Sequence, residues 1–182
     1  MSDAAGTLTA LIRADAWRMM ALQVVRTIDL PDGWIGAGFV RDAMWDHLHG
    51  WTGRKPSGDV DVVWFDPDRI DAADDAAVEG RLHTLCEDVD WSVRNQARMH
   101  HRNGDRPYRS VADAMTFWPE TATAVAVRLT QDDRLEINAP LGLDDLVGLR
   151  LMPKAGREAT FAARVAAKHW LTRYPKLRVT AS

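Results

Sequence analysis

Cysteine is almost missing from this chain: Cys86 is the single one in 182 residues. An internal disulfide is therefore excluded, and so is a finger-like zinc site, which needs several thiolates or histidines at short spacing. Long apolar runs are missing too. No stretch approaches the roughly 18 apolar residues of a membrane span, and residues 1–9 lack a basic start followed by an apolar segment, so a cytoplasmic protein with no membrane partner is expected. The glycine-containing stretch Gly36-Ala37-Gly38 has neither a third glycine at dinucleotide spacing nor a following Gly-Lys-Ser/Thr, which sets aside the Rossmann fingerprint and the Walker loop. Repeats, low-complexity tracts and linkers are also lacking. Residues 1–182 therefore read as a single domain.

Acidic residues are scarce at one end. Residues 150–182 hold eight lysines and arginines against Glu158 alone, and the first 149 residues hold 15 against 25 acids. A basic helix is expected at about 157–172, and on it Arg157, Arg164 and Lys168 fall within roughly 40 degrees of one another. This stripe suits phosphate groups or an RNA backbone.

The most informative residues are Asp59 and Asp61, one residue apart in the apolar run Asp59-Val60-Asp61-Val62-Val63-Trp64-Phe65. In a strand, alternate side chains share a face, so both carboxylates point one way while Val60 and Val62 enter the core. Paired carboxylates on a mostly buried strand need a cation or strong donors to offset their desolvation, and a hard divalent ion such as Mg2+ fits. Upstream, Trp34 to Gly36 reads as a short strand and Val40 to Leu48 as the helix it feeds. Gly36 and Gly38 between them let a phosphate approach backbone N–H groups at a helix start.

Further along, periodicity predicts one helix over about 8–28 and another over 71–88. A strand is expected over Trp91 to His100, with a short helix capped by Ser110. Ala122 to Leu129 and Leu135 to Asn138 flank turn residues and form a hairpin. In the strand at 91–100, Ser92, Arg94, Arg98 and His100 share one face, a positive wall suited to an anionic ligand.

The order Ala37-Gly38-Phe39-Val40-Arg41-Asp42, a loop, then Asp59-Val60-Asp61 resembles the head of the polymerase-β nucleotidyltransferase superfamily. It resembles in particular the Gly-Gly-x-Val-Arg-Asp and Asp-x-Asp of tRNA nucleotidyltransferase-type enzymes. With Trp91-Ser92-Val93-Arg94-Asn95-Gln96 and Ala139-Pro140-Leu141-Gly142-Leu143-Asp144-Asp145-Leu146, the pattern is similar to a small bacterial family of nucleotidyltransferase-like proteins. The resemblance implies an α+β fold, a mixed β-sheet flanked by helices, and Mg2+-dependent transfer of a nucleoside monophosphate from a nucleoside triphosphate. The acceptor would be a small molecule, a protein or RNA. Carried over, Asp59 and Asp61 bind the metal, Gly38 sits against the phosphates, and Arg41 either neutralises them or pairs with Asp42 or Asp46. The superfamily's usual third acid falls by position at Ser92, which is no base. Glu136 in Leu135-Glu136-Ile137, or Asp90, is then the substitute carboxylate. Without one, the same scaffold serves as a nucleotide-binding or regulatory protein.

Overall fold

Five short segments, most of them rich in buried apolar residues, build the sheet on which everything else is hung. The computed structural model describes residues 3–180. The strands are β1 (Trp34–Gly36), β2 (Val60–Trp64), β3 (Trp91–Asn95), β4 (Ala126–Leu129) and β5 (Leu135–Asn138), in the order β3-β2-β1-β4-β5. β2 and β3 run parallel, and the other pairs are antiparallel. The sheet is thus mixed and helix-flanked, as the sequence indicated.

Ile35, Val62, Val93 and Val127 are fully buried on one face. That face is covered by α1 (Ala4–Ala14), α2 (Ala16–Ile28), α3 (Gly38–His49) and α4 (Ala72–Leu85). The first two replace the single helix expected over 8–28. The break falls at Asp15, whose carboxylate accepts a hydrogen bond from the Arg18 backbone N–H at 3.0 Å and starts the second helix as its N-cap.

The opposite face is only partly covered. Trp34, Val63 and Ala126 pack there against Val111 and Met115 of α6 (Val111–Met115), with Trp118 alongside. Between β3 and α6 lies α5 (Gln96–Asn103), where a continuing strand was expected. Asn95 makes the change of direction. Its side chain caps the helix through the Ala97 N–H at 3.0 Å, and its amide donates to the carbonyls of Asp66 and Arg69. An alternating pattern cannot continue through a residue held at three points.

The basic end is also divided: α7 (Asp144–Val147) precedes it, followed by α8 (Glu158–Lys168) and α9 (Trp170–Arg173). His169 separates the last two in a left-handed conformation, φ 51°. Trp170 and Tyr174 are fully buried and meet the Trp45 ring at 6.1 and 5.2 Å, which fastens the C-terminal helices to α3. A short parallel pair, β6 (Arg150–Leu151) and β7 (Arg178–Val179), closes the segment. Among the described residues, no helix is long and apolar enough to cross a membrane.

Candidate active site

The pleat of β2 does what its sequence requires. Val60 and Val62 are 2% and 0% exposed under the helices, while Asp61, and Asp59 just before the strand, are half-buried on the other face. Their α-carbons stand roughly 6.6 Å apart, two residue rises along a strand. In the register Ile35 opposes Val62, which puts Gly36 beside Asp61 on one side. Ser92 lies directly opposite Asp61 on the other.

The turn from β1 into α3 faces this strand. Ala37 adopts φ 49° and ψ −120°, a region that glycine enters freely and alanine does not, and no side chain caps the helix that follows. A Cβ on Gly38 would stand 3.3 Å from the Arg41 guanidinium, and one on Gly36 would stand 3.1 Å from the Trp118 ring. Both glycines therefore admit close packing of their own neighbours.

A cleft of about 320 Å³ opens here, lined by Ala37, Asp61, Ser92, Arg94, Thr123 and Arg164. Burial, and then the charge of Asp59, push the Asp61 carboxyl up to about 6, against an opposing pull from Lys168, Arg41 and Arg164. Among the described residues, no hydrogen bond stands among the main causes. The contrast with Asp42 is sharp. That acid is fully buried, yet its carboxyl is held below the ordinary value. Burial opposes the lowering most strongly, and it is overcome by Arg41 and by the Ser57 N–H and hydroxyl at 3.0 and 2.8 Å.

The other residues singled out by sequence are not all brought together. Arg41 is buried, donates to Asp42 at 2.8 and 3.0 Å, and lies over the rings of Trp45 and Trp170 at 5.0 and 4.8 Å. It also acts on Asp61 through its charge. Arg94 lines the cleft and reaches Glu79 at 3.5 Å.

Arg98 does not join Arg94. It lies on α5, not on the strand, and donates from Nε at 2.9 Å to the buried Asp75, which also accepts from the Trp64 indole and the Asn95 N–H, each at 2.8 Å. The shared positive face expected over 91–100 is therefore corrected to Arg94 alone. His100, also on α5, is turned to the Ala97 carbonyl.

Glu136 is likewise set apart. Three strand spacings, ~14 Å at 4.8 Å each, separate β5 from β2. Its carboxylate is taken by Arg128 at 2.7 Å, with Arg134 at 3.7 Å. Asp90 is exposed at the start of β3. Among the described residues, no third acid, histidine or cysteine gathers with the pair.

Two residues of the basic stripe do arrive. Arg164 lines the cleft while donating to the fully buried Glu120 at 2.8 and 3.0 Å, and Lys168 is felt at Asp61. Arg157 is instead paired with Asp105. Helical spacing exposed the stripe, but only the packing of Trp170 on Trp45 reveals what it covers. Thr123 and Trp118 carried no signal in the sequence.

Chemically, two neighbouring carboxylates, one of them disfavoured in its charged form by burial and by its neighbour, make a pair that a divalent cation would relieve. The uncapped start of α3, Arg94 and Arg164 surround the pair with positive potential suited to a polyanion.

A nucleotidyltransferase family model matches residues 23–179. A solved NMR structure described as revealing a CCA-adding enzyme head domain superposes with a TM-score of 0.85 at 27% identity, covering 96% of this chain and 95% of that one. The Thermotoga maritima CCA-adding enzyme complexed with tRNA gives a TM-score of 0.59 at 14% identity, over 96% of this chain and 42% of that one. A CCA-adding enzyme in complex with CTP gives 0.60 at 14%, over 98% and 43%. At 14% identity these likenesses concern the fold, and this chain spans less than half the length of those two enzymes. Curated protein sequences contain no significant match.

Proposed function

Because the chain belongs to the nucleotidyltransferase family, we propose that it is a Mg2+-dependent enzyme moving a nucleoside monophosphate from a nucleoside triphosphate to an acceptor hydroxyl. The observation that carries the reading is Asp61, raised by burial and by the charge of Asp59 beside it, next to the positive-φ turn at Ala37. In the reaction the acceptor oxygen bonds to the α-phosphorus, the bond between that phosphorus and the bridging oxygen breaks, and pyrophosphate leaves.

Asp59 and Asp61 would hold the cation, which when bound neutralises charge on the phosphates and orients the reacting oxygens. Arg94 and Arg164 face the cleft and offer N–H donors to the triphosphate, and the first turn of α3 adds its partial positive charge. Val63 and Trp118 give the cleft an apolar wall, which strengthens these interactions. Ser92, opposite Asp61 in the register, is no base, so the hydroxyl proton would pass to Asp61 or to water.

Incubation with α-labelled triphosphates, Mg2+ and pooled acceptors, read as labelled product and pyrophosphate, tests the reading. Wild-type protein is expected to form both and Asp61→Asn neither. Equal turnover by Asp61→Asn would overturn the assignment. The lack of a third acid near the pair among the described residues favours a second reading, a nucleotide-binding protein on the same scaffold. It is distinguished by Mg2+-dependent triphosphate binding with no pyrophosphate formed.

A further inference from the structure

Away from the carboxylate pair, at the far end of α3, a groove of about 550 Å³ opens between the junction of α1 with α2 and the loop at 51–55. Asp46 lies there about 12 Å along the helix axis from Gly38. Nothing in the transfer reading uses this groove.

Two of its lining side chains are buried and incompletely partnered. Arg18 is 3% exposed; its Nε donates to the Phe39 carbonyl at 2.9 Å and one terminal nitrogen pairs with Asp15, but the other, Nη2, has no partner. Asp46 is 5% exposed, and its Oδ1 accepts no hydrogen bond, although the Arg54 guanidinium stands 3.2 Å away as an ion partner. Burial pushes the Asp46 carboxyl above its ordinary value. Both atoms are enclosed next to the groove, where a buried donor and a buried acceptor without hydrogen-bond partners are costly.

The walls narrow the ligand. Trp17 and Trp51 both line the groove and are both partly exposed, an arrangement that suits a planar ring. Arg54 lies over the Trp51 ring at 4.4 Å and Lys55 over Trp17 at 5.6 Å. A guest stacking on these rings takes the place of Arg54 and Lys55 over them. Arg18 and Arg54 are each matched by an acid of the groove, whereas Lys55 is exposed and makes no ion pair among the described residues. The unmet requirements are therefore one acceptor and one donor on a planar heterocycle, together with one anionic group. A nucleobase carries both kinds of edge and stacks on tryptophan, and a phosphate supplies the charge.

We propose that this groove is a second, metal-independent site for a nucleoside monophosphate unit, with the base between Trp17 and Trp51 reaching Arg18 and Asp46, and the phosphate at Lys55. The unit is either a free mononucleotide or the end of a strand.

The test is titration of the full chain in EDTA with AMP, GMP, CMP and UMP, followed by tryptophan fluorescence and calorimetry, with inorganic phosphate and trinucleotides as further probes. Saturable binding of at least one mononucleotide is expected, unchanged in Asp61→Asn and weakened about tenfold or more by Trp17→Ala, the usual worth of one stacked base. Lys55→Ala, an exposed change that keeps the fold, should weaken mononucleotide binding several-fold. A trinucleotide binding far more tightly than its mononucleotide would identify a strand end, and equal affinity a free nucleotide. Three results would overturn the proposal: no binding of any mononucleotide at millimolar concentration, phosphate binding as well as the nucleotides, or binding lost in Asp61→Asn but kept in both groove variants. Failure of catalysis by the carboxylate pair leaves this outcome untouched, since the titration uses neither metal nor turnover.

Discussion

Asp42 and Asp75, on α3 and α4, are 0% and 2% exposed, each surrounded by donors. Asp59 and Asp61, on the open face of β2, are less buried, and no hydrogen bond stands among the main causes acting on Asp61 among the described residues. Depth alone would predict the opposite, since the deeper charge should be the harder to keep. The difference teaches that the first two acids are part of the fold's own wiring, linking α3 to the loop at Ser57 and α4 to β3. The second two are left open by the fold and completed from outside. Polar groups buried without partners are rare in folded proteins, so incompleteness beside a cleft points to a ligand.

The sharpest way to break this contrast is to open one of the satisfied acids. Arg98→Ala strips Asp75 of its guanidinium in the interior and should destabilise the protein by about 3–5 kcal/mol, read by urea denaturation. A loss under 1 kcal/mol would mean that the Asp75 network is not structural. Asp61→Asn should behave the other way, with label transfer reduced at least ~100-fold and the midpoint of unfolding kept or raised, because a charge the fold disfavours is gone.

The metal-free protein gives a third measurement. The Asp61 carboxyl is raised to about 6 in the folded chain against 3.8 as its ordinary value. The folded state therefore binds the proton more tightly, so the stabilisation is fully present below pH 3.8 and is lost as pH rises through about 6. In EDTA, unfolding free energy should fall by up to ~3 kcal/mol across that window from this group, partly screened by solvent. The fall should be absent in Asp61→Asn and reversed by Mg2+ at pH 7.5. Asp42 works in the opposite sense. Its lowered carboxyl contributes stability above 3.8 that is lost as pH falls through its folded value, so its window lies in more acidic solution and does not overlap. The smallest effect is expected from Glu136→Gln, a change in a partly exposed ion pair worth about 1 kcal/mol or less, with the Mg2+-induced thermal shift unaltered.

What the sequence revealed follows from how far each signal reaches. Alternation over Asp59 to Trp64 set the face of the carboxylates, and the position of Ser92 beside Asp61 agrees with the parallel register. Those signals are local or pairwise. Helical periodicity could not reveal the breaks at Asp15 and His169, because the apolar spacing continues through both while one residue's backbone changes course. Arg98 was misplaced for a related reason: the residues after Asn95 keep alternating in polarity, but a side-chain cap turns the chain into a helix. Glu136 has apolar neighbours like a site residue. Its distance from Asp61 depends on strand order, which no local pattern encodes. Arg164 and Lys168 were visible as a stripe, and their destination was set by contacts between Trp45 and the buried aromatics of the C-terminal segment.

The positive φ of Ala37 has a consequence of its own. An alanine held there stores roughly 1–3 kcal/mol of conformational strain, sustained by the packing of its neighbours and by the hydrogen bond from its N–H to the Val125 carbonyl at 3.0 Å. A glycine at this position would wander among several shapes, whereas the methyl group permits few. The bend is thus set rigid before any guest arrives, and a polyanion docking against it forfeits little freedom in the host.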